Sequence, residues 1–194
     1  FFPSFFTLFG YSRVIYRIVN SFHLNNKFNF HKEIVFPDWV TGAAVFISKE
    51  WFASVNGWTE KYWLYFEDVD LCKKIKGNNG EICLIRTTNI FHKHGGSTRI
   101  NIKTKALTKT EVIISKHVYF NEHKSGIIKN CIQIFLLISL LIEKFIFAII
   151  GLVFFFIPKL KVNVYIFINL INYYINAISK KSWISPRSVK YLQK

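Results

Sequence analysis

The stretch Leu64-Tyr65-Phe66-Glu67-Asp68-Val69-Asp70-Leu71-Cys72-Lys73-Lys74-Ile75-Lys76 decides how the chain is read. Its carboxylates fall in the first turn of a prospective helix and its ammonium groups in the last, which matches both ends of a helix dipole. A helix opening at Glu67 is therefore predicted, and Asn78-Asn79-Gly80 closes it. Upstream, Val40–Ser48 reads as a buried strand with small residues at its start. Ser48 then caps a short helix Lys49–Val55, with Trp51 as its packing anchor and Asn56-Gly57 as its stop. Downstream, Glu81–Arg86 and Asn89–His92 are short strand candidates that run into His92-Lys93-His94-Gly95-Gly96-Ser97. Alternating strands and helices predict an α/β fold.

Working outward, the composition divides the chain of 194 residues in two. It is 51% hydrophobic and 18% aromatic, with 21 Phe, and its mean hydropathy of +0.24 is too high for disorder and for an ordinary soluble domain. The formal charge is +15, and it is lopsided: residues 98–194 hold 15 basic and 3 acidic side chains, a net +12. That basic half is also the apolar half. Cys131–Ile157 is interrupted only by Gln133, Ser139 and Glu143-Lys144, and Val162–Ile178 follows as a second apolar run. Lys124, Lys129, Lys159, Lys161, Lys180 and Lys181 flank these runs as anchors against anionic lipid would, whereas a nucleic-acid binder gathers its cations on a polar face. Membrane contact is expected and nucleic acid is not. In the second run Tyr165, Asn169, Asn172, Asn176 and Ser179 share one helical stripe, suited to an interface or to a partner helix.

Cys72, Cys83 and Cys131 are odd in number and irregular in spacing, which indicates neither a disulfide framework nor a zinc knuckle and favours a reducing compartment. The sequence has no methionine and opens Phe1-Phe2-Pro3-Ser4 without a charged leader, from which a fragment is expected. Residues 1–32, with weak helical periodicity around Arg13 to Phe22, read as a surface excursion.

Among residues able to carry chemistry, Asp68 in a helix's first turn, approached by a glycine-containing loop and an aromatic wall, suits a general base; it equally suits plain satisfaction of the helix N-terminus. Asp68-Val69-Asp70 spells an Asp-x-Asp pattern, but that pattern ends buried strands in nucleotide-sugar metal sites, and here it opens a helix. His92 and His94 would share one face of a strand, as metal ligands or as loop residues. Gly42, followed by Ala43 and Ala44, admits either a close-lying substrate or tight packing.

Taken in order, Trp39-Val40-Thr41-Gly42-Ala43-Ala44, Val55-Asn56-Gly57-Trp58-Thr59-Glu60, Leu64 to Cys72, and Phe91-His92 to Ser97 resemble the second half of family 2 glycosyltransferases, closest to the rhamnosyltransferase-like branch that builds cell-surface polysaccharides. The resemblance covers roughly residues 1–125. It implies an inverting transferase with a partial GT-A fold, lacking the N-terminal nucleotide-binding half and followed by apolar membrane-associated helices. It implies a nucleotide-sugar donor, a lipid-linked or polysaccharide acceptor, and a divalent metal, Mn²⁺ or Mg²⁺. Asp68 matches the catalytic base, His92 the histidine of the metal site, and Trp39, Gly42, Trp58 and Glu67 positions that shape the acceptor pocket.

On that reading residues 1–105 are the C-terminal part of the transferase domain, 106–130 a helical connector, 131–180 membrane-associated helices and 181–194 a basic tail. The expected place is the cytoplasmic face of a bacterial cell membrane, and the fragment alone is expected to be inactive. A non-catalytic, membrane-anchored remnant or interaction module is the alternative. The chain departs from the family pattern at Thr59, where an acidic residue is usual, so the acceptor loop is expected to differ there.

Overall fold

Asn-Gly pairs end the two helices of the first part of the chain, and they do so in the same way. The computed structural model describes residues 32–92 and 100–193, with the isolated positions Pro3 and Ile18. Helix α1 (Lys49–Ser54) starts at Ser48, whose hydroxyl accepts from the Trp51 N–H at 3.2 Å. At its end Asn56 N–H reaches Ala53 O and Gly57 N–H reaches Phe52 O, with Asn56 and Gly57 both at positive φ. Helix α2 (Glu67–Gly77) repeats the arrangement: Asn79 N–H reaches Lys76 O, Gly80 N–H reaches Ile75 O, and Asn79 takes φ 62°. These paired bonds answer carbonyls that a helix end otherwise leaves to water.

The chain divides into two compact units, residues 1–59 with 67–92, and residues 60–66 with 93–194. In the first unit α1 and α2 close over a small core of Val55, Leu71, Cys72, Ile75 and Ile82, backed by Val40, Ile47 and Phe52. Burial in that core raises the Cys72 thiol above its ordinary pKa. Strand β1 (Ile34–Val35) pairs antiparallel with β2 (Leu84–Ile85), Ile34 opposite Ile85 and Val35 opposite Leu84.

This unit bears out the α/β expectation only in part. Among the described residues the fold is mixed and helix-rich with a small two-stranded sheet, and Val40–Ser48 forms no strand. A strand needs a neighbour for its ladder, and among the described residues β1 and β2 pair only with each other. Residues 41–44 are instead exposed and turn at Gly42-Ala43. Glu81–Arg86 is strand only at Leu84–Ile85, Asn89–His92 is irregular, and β1 had no counterpart in the sequence reading. Apart from Ile18, the periodic stretch Arg13 to Phe22 lies outside the described residues, as does His94.

The second unit is helical: α3 (Ile102–His123), α4 (Gly126–Val153), α5 (Pro158–Ser179) and the short α6 (Val189–Leu192). Asn101 caps α3 by accepting from Thr104 N–H at 2.8 Å, so the helix starts ahead of the connector expected at residues 106–130. α4 and α5 form an antiparallel hairpin, with Pro158 in the first turn of α5, where its missing N–H costs nothing. The two backbones approach closely at Gly151, where an added Cβ would collide with the Leu160 carbonyl oxygen. By length and composition α4 can cross a membrane, and 22% of its most apolar window is buried.

Residues 106–130, read as a connector, place Ala106, Glu111, Ile114, Ser115, His117 and Val118 among the most buried positions of the chain. The basic tail likewise folds back onto its own unit. Ser185 Oγ donates to Glu111 Oε2 at 2.8 Å, and Arg187 pairs with Glu111 Oε1 at 2.6 Å, leaving the carboxylate fully buried and doubly answered. Of the asparagine stripe, Asn176 exchanges hydrogen bonds with the Tyr191 hydroxyl of α6, while Asn172 is exposed.

His117 is the polar centre of this unit. It is fully buried, its Nδ1 lies 2.5 Å from Gln133 Oε1, its Nε2 lies 3.0 Å from the Tyr174 hydroxyl, and its ring stacks on Trp183. Gln133 also donates to the His117 carbonyl at 2.8 Å. Burial lowers the imidazole pKa to about 4. An unfolded histidine takes up its proton near pH 6.5, so acid pulls toward the unfolded chain. We predict that stability falls as pH drops from about 6.5 to about 4, by roughly 3 kcal/mol. Glu111, whose pKa burial raises, titrates with the opposite sign. The His117 contribution is therefore the difference between pH-dependent unfolding curves of the parent and of His117→Gln. Identical slopes would exclude it.

Candidate active site

The loop 39–42 and the first turn of α2 meet through a carboxylate. Asp68 Oδ2 accepts from the Gly42 N–H at 2.9 Å, and Oδ1 accepts from the Val69 N–H at 2.8 Å. Each oxygen keeps lone pairs beyond these bonds, so the group is oriented without being consumed. A Cβ on Gly42 would sit 3.4 Å from Asp68 Cβ, in ordinary contact. Thus two of the residues singled out from sequence, Gly42 and Asp68, are adjacent, with one Asp68 oxygen serving the helix N-terminus and the other the 39–42 loop.

Glu67 precedes it. Its Oε2 is buried with no hydrogen-bond partner among the described residues, and desolvation raises its carboxyl pKa. An orphaned buried acceptor is a place that a ligand hydroxyl would satisfy. Tyr65 and Phe66, just before it, both have φ near +70°, a conformation that costs of order 1–3 kcal/mol per residue and that concentrates at working sites. Trp58 is 43% exposed and stands edge-on to Phe52, with ring centroids 6.0 Å apart; Trp39 is 37% exposed. Both indoles thus keep exposed surface suited to the apolar faces of a sugar.

Asp70, third of the acidic residues, has a different task. It is 1% exposed and accepts from the Thr59 hydroxyl at 2.5 Å, with Lys74 Nζ at 3.4 Å. Lys74 also donates to Gly57 O at 2.7 Å and to Thr59 Oγ1 at 3.0 Å. Thr59 is therefore a structural link between the end of α1 and the buried face of α2. Sequence reasoning missed this link; the signal was a hydroxyl residue standing where the family has an acid.

His92 is exposed and lies in irregular chain after β2. Among the described residues, no three His, Cys, Asp or Glu side chains come together to hold a metal ion.

A family profile described as the N-terminal domain of galactosyltransferase matches residues 23–95, less than half the chain. It spans Trp39, Gly42, Trp58, Glu67, Asp68 and His92, and it indicates a glycosyltransferase-like domain. No curated protein and no solved structure matches the chain. The profile and the sequence motifs agree on transfer of a sugar, and they differ on the branch.

Removing the Thr59 hydroxyl leaves Asp70 buried with one fewer donor. Thr59→Val is expected to cost about 1–3 kcal/mol of stability, read as a lower denaturation midpoint, while Thr59→Ser stays near the parent. A Thr59→Val protein as stable as the parent would remove the link.

Proposed function

We propose that the chain carries the acceptor and base side of an inverting glycosyltransferase of GT-A type, close to family 2 and its rhamnosyltransferase-like branch. The observation that carries this reading is the Asp68 carboxylate, held by Gly42 and Val69 N–H groups next to the orphaned oxygen of Glu67. The profile match over the same residues supports it.

In the proposed reaction an acceptor hydroxyl gives its proton to an Asp68 oxygen as its own oxygen attacks the anomeric carbon of the donor sugar. The new glycosidic bond forms on one face while the bond to the nucleoside diphosphate breaks on the other, so the configuration inverts and the diphosphate leaves with the bonding electrons. Glu67 would accept from a second hydroxyl and fix the sugar's orientation. Trp39 and Trp58 would flank its apolar faces, and Gly42 would let it lie near the backbone. The proposed acceptor is a lipid-linked or polysaccharide glycan at the cytoplasmic face of a bacterial cell membrane. His92 would be one ligand of Mn²⁺ or Mg²⁺ bound together with the donor, where the ion supplies charge neutralisation to the diphosphate.

Asp68→Asn keeps an oxygen for Gly42 and loses the base. In a full-length enzyme, which also carries a nucleotide-binding half, turnover of a radiolabelled nucleotide sugar onto lipid acceptor is expected to fall by about 10²-fold to 10⁴-fold while the thermal midpoint changes little. Near-parental transfer would take Asp68 out of the role. For the metal, in the same full-length enzyme His92→Ala is expected to weaken Mn²⁺ binding in the presence of nucleoside diphosphate, and His94→Ala to leave it near the parent. Equal loss in both variants, or none in either, would reject the choice of His92.

A further inference from the structure

Helix α4 has two faces of unlike character. Gln133, Leu136, Leu140, Ala148 and Gly151 are buried, whereas Ile134, Ile138, Ile142, Phe145, Ile149 and Leu152, spaced four and three apart, are all about half exposed or more. This second set forms a continuous apolar stripe along the helix. It runs into Phe154, Phe155, Phe156 and Ile157, every one of them exposed at the turn of the hairpin. α4 holds three charged residues, Lys129 near its start and the pair Glu143 and Lys144, which lies off that spacing and neutralises itself: Lys144 Nζ is 2.5 Å from Glu143 Oε1, and both side chains are largely covered.

α5 differs. Its buried row is Val162, Ile166, Leu170, Tyr173 and Ala177, but its exposed row, Ile168, Asn172, Ile175 and Ser179, alternates apolar with polar, and Lys159 is exposed at its start. Because α4 and α5 are packed into one hairpin, with Gly151 against the Leu160 backbone, α5 must follow α4 wherever it goes. Full crossing would set Asn172 in hydrocarbon and carry Lys159 and Lys161 to the far side, against the positive-inside tendency. Lying in the plane of the surface, the same hairpin turns only the α4 stripe toward acyl chains and leaves α5 toward water.

We propose that the α4–α5 hairpin is an in-plane, single-leaflet membrane-docking element, seated on the α4 stripe and the Phe154–Ile157 turn. The occupant of the stripe is anionic lipid. Cations stand at both ends of the hairpin, Lys124 before it and Lys129 near the start of α4, Lys159 and Lys161 at its turn, Lys180 and Lys181 after it. Two copies docked stripe to stripe would bring two sets of these cations together, each on a half-chain of net +12. This inference gives a manner to the proposed membrane location and is independent of the sugar chemistry.

The test is flotation of the detergent-solubilised full chain diluted into vesicles of phosphatidylcholine alone or with phosphatidylglycerol. Binding is expected to be stronger with phosphatidylglycerol and to weaken with salt. Ile142→Gln with Ile149→Gln, both at exposed positions, is expected to lower partition about tenfold or more, while Ile175→Gln on α5 leaves it unchanged. Retained binding by the double variant, equal loss in Ile175→Gln, or a dimer that the double variant dissociates without any vesicle binding would each overturn the proposal. In cells, with Cys83 and Cys131 replaced by Ser, Lys159→Cys is expected to resist a membrane-impermeant thiol reagent added outside and to react in inverted vesicles. Labelling from outside would show a spanning hairpin and reject the in-plane one. A loss of transferase activity with intact vesicle binding would bear on the catalytic reading alone.

Discussion

A buried imidazole must have both ring nitrogens answered, and the helical unit is arranged around that requirement. His117 draws Gln133 from α4, Tyr174 from α5 and the Trp183 ring from the segment beyond it, so one side chain fixes the register of three helices and the return of the tail. Leucine at the same place would fill space but would not choose among neighbouring registers, since apolar contact is non-directional. The nearby Glu111 adds a second fixed point by holding Ser185 and Arg187. With α4 pinned on its Gln133 side, the row from Ile134 to Leu152 stays about half exposed, although Phe145 meets the Phe167 ring of α5 at 5.6 Å.

In the other unit, three acidic residues within four positions divide the work. Asp70 faces inward and is neutralised by Thr59 and Lys74, which ties α2 to the end of α1. Asp68 faces the 39–42 loop and keeps acceptor capacity. Glu67 keeps an oxygen with no partner among the described residues. The structural anchor thus comes first in energetic terms, and it frees its two neighbours from having to hold the helix in place. The half-buried Asp68 carboxylate can keep free acceptor capacity because the rigidity of the helix start is supplied within the same turn by Asp70.

Helices were legible in the sequence wherever charge and turn residues coincided. α2 is found from its own charges and from Asn79-Gly80, and α1 from Ser48 and Asn56-Gly57, because these signals act within a few residues. The strand expected at Val40–Ser48 failed for the opposite reason: a strand depends on a neighbour that local sequence does not reveal. The bounds of α3 differ from those of the expected connector since its buried face mixes Glu111, Ser115 and His117 with Ile114 and Val118, which hides the apolar period. At the site, the pairing of Gly42 with Asp68 over 26 residues was approached only through motif order, whereas Thr59 as a link to Asp70 could not be read from spacing at all.

The two helix ends at Asn56-Gly57 and Asn79-Gly80 also bear on how the protein ages. Asparagine before glycine is chemically fragile, because the following backbone nitrogen can attack the side-chain amide, close a five-membered imide and expel ammonia. Here the attacking nitrogens are the ones already donating to helix carbonyls, Gly57 to Phe52 and Gly80 to Ile75. The ring cannot close until those bonds open, so the rate of this damage reports local opening of the helix ends. The same glycines that let the chain turn make it a slow clock, running fastest in molecules that have begun to unfold.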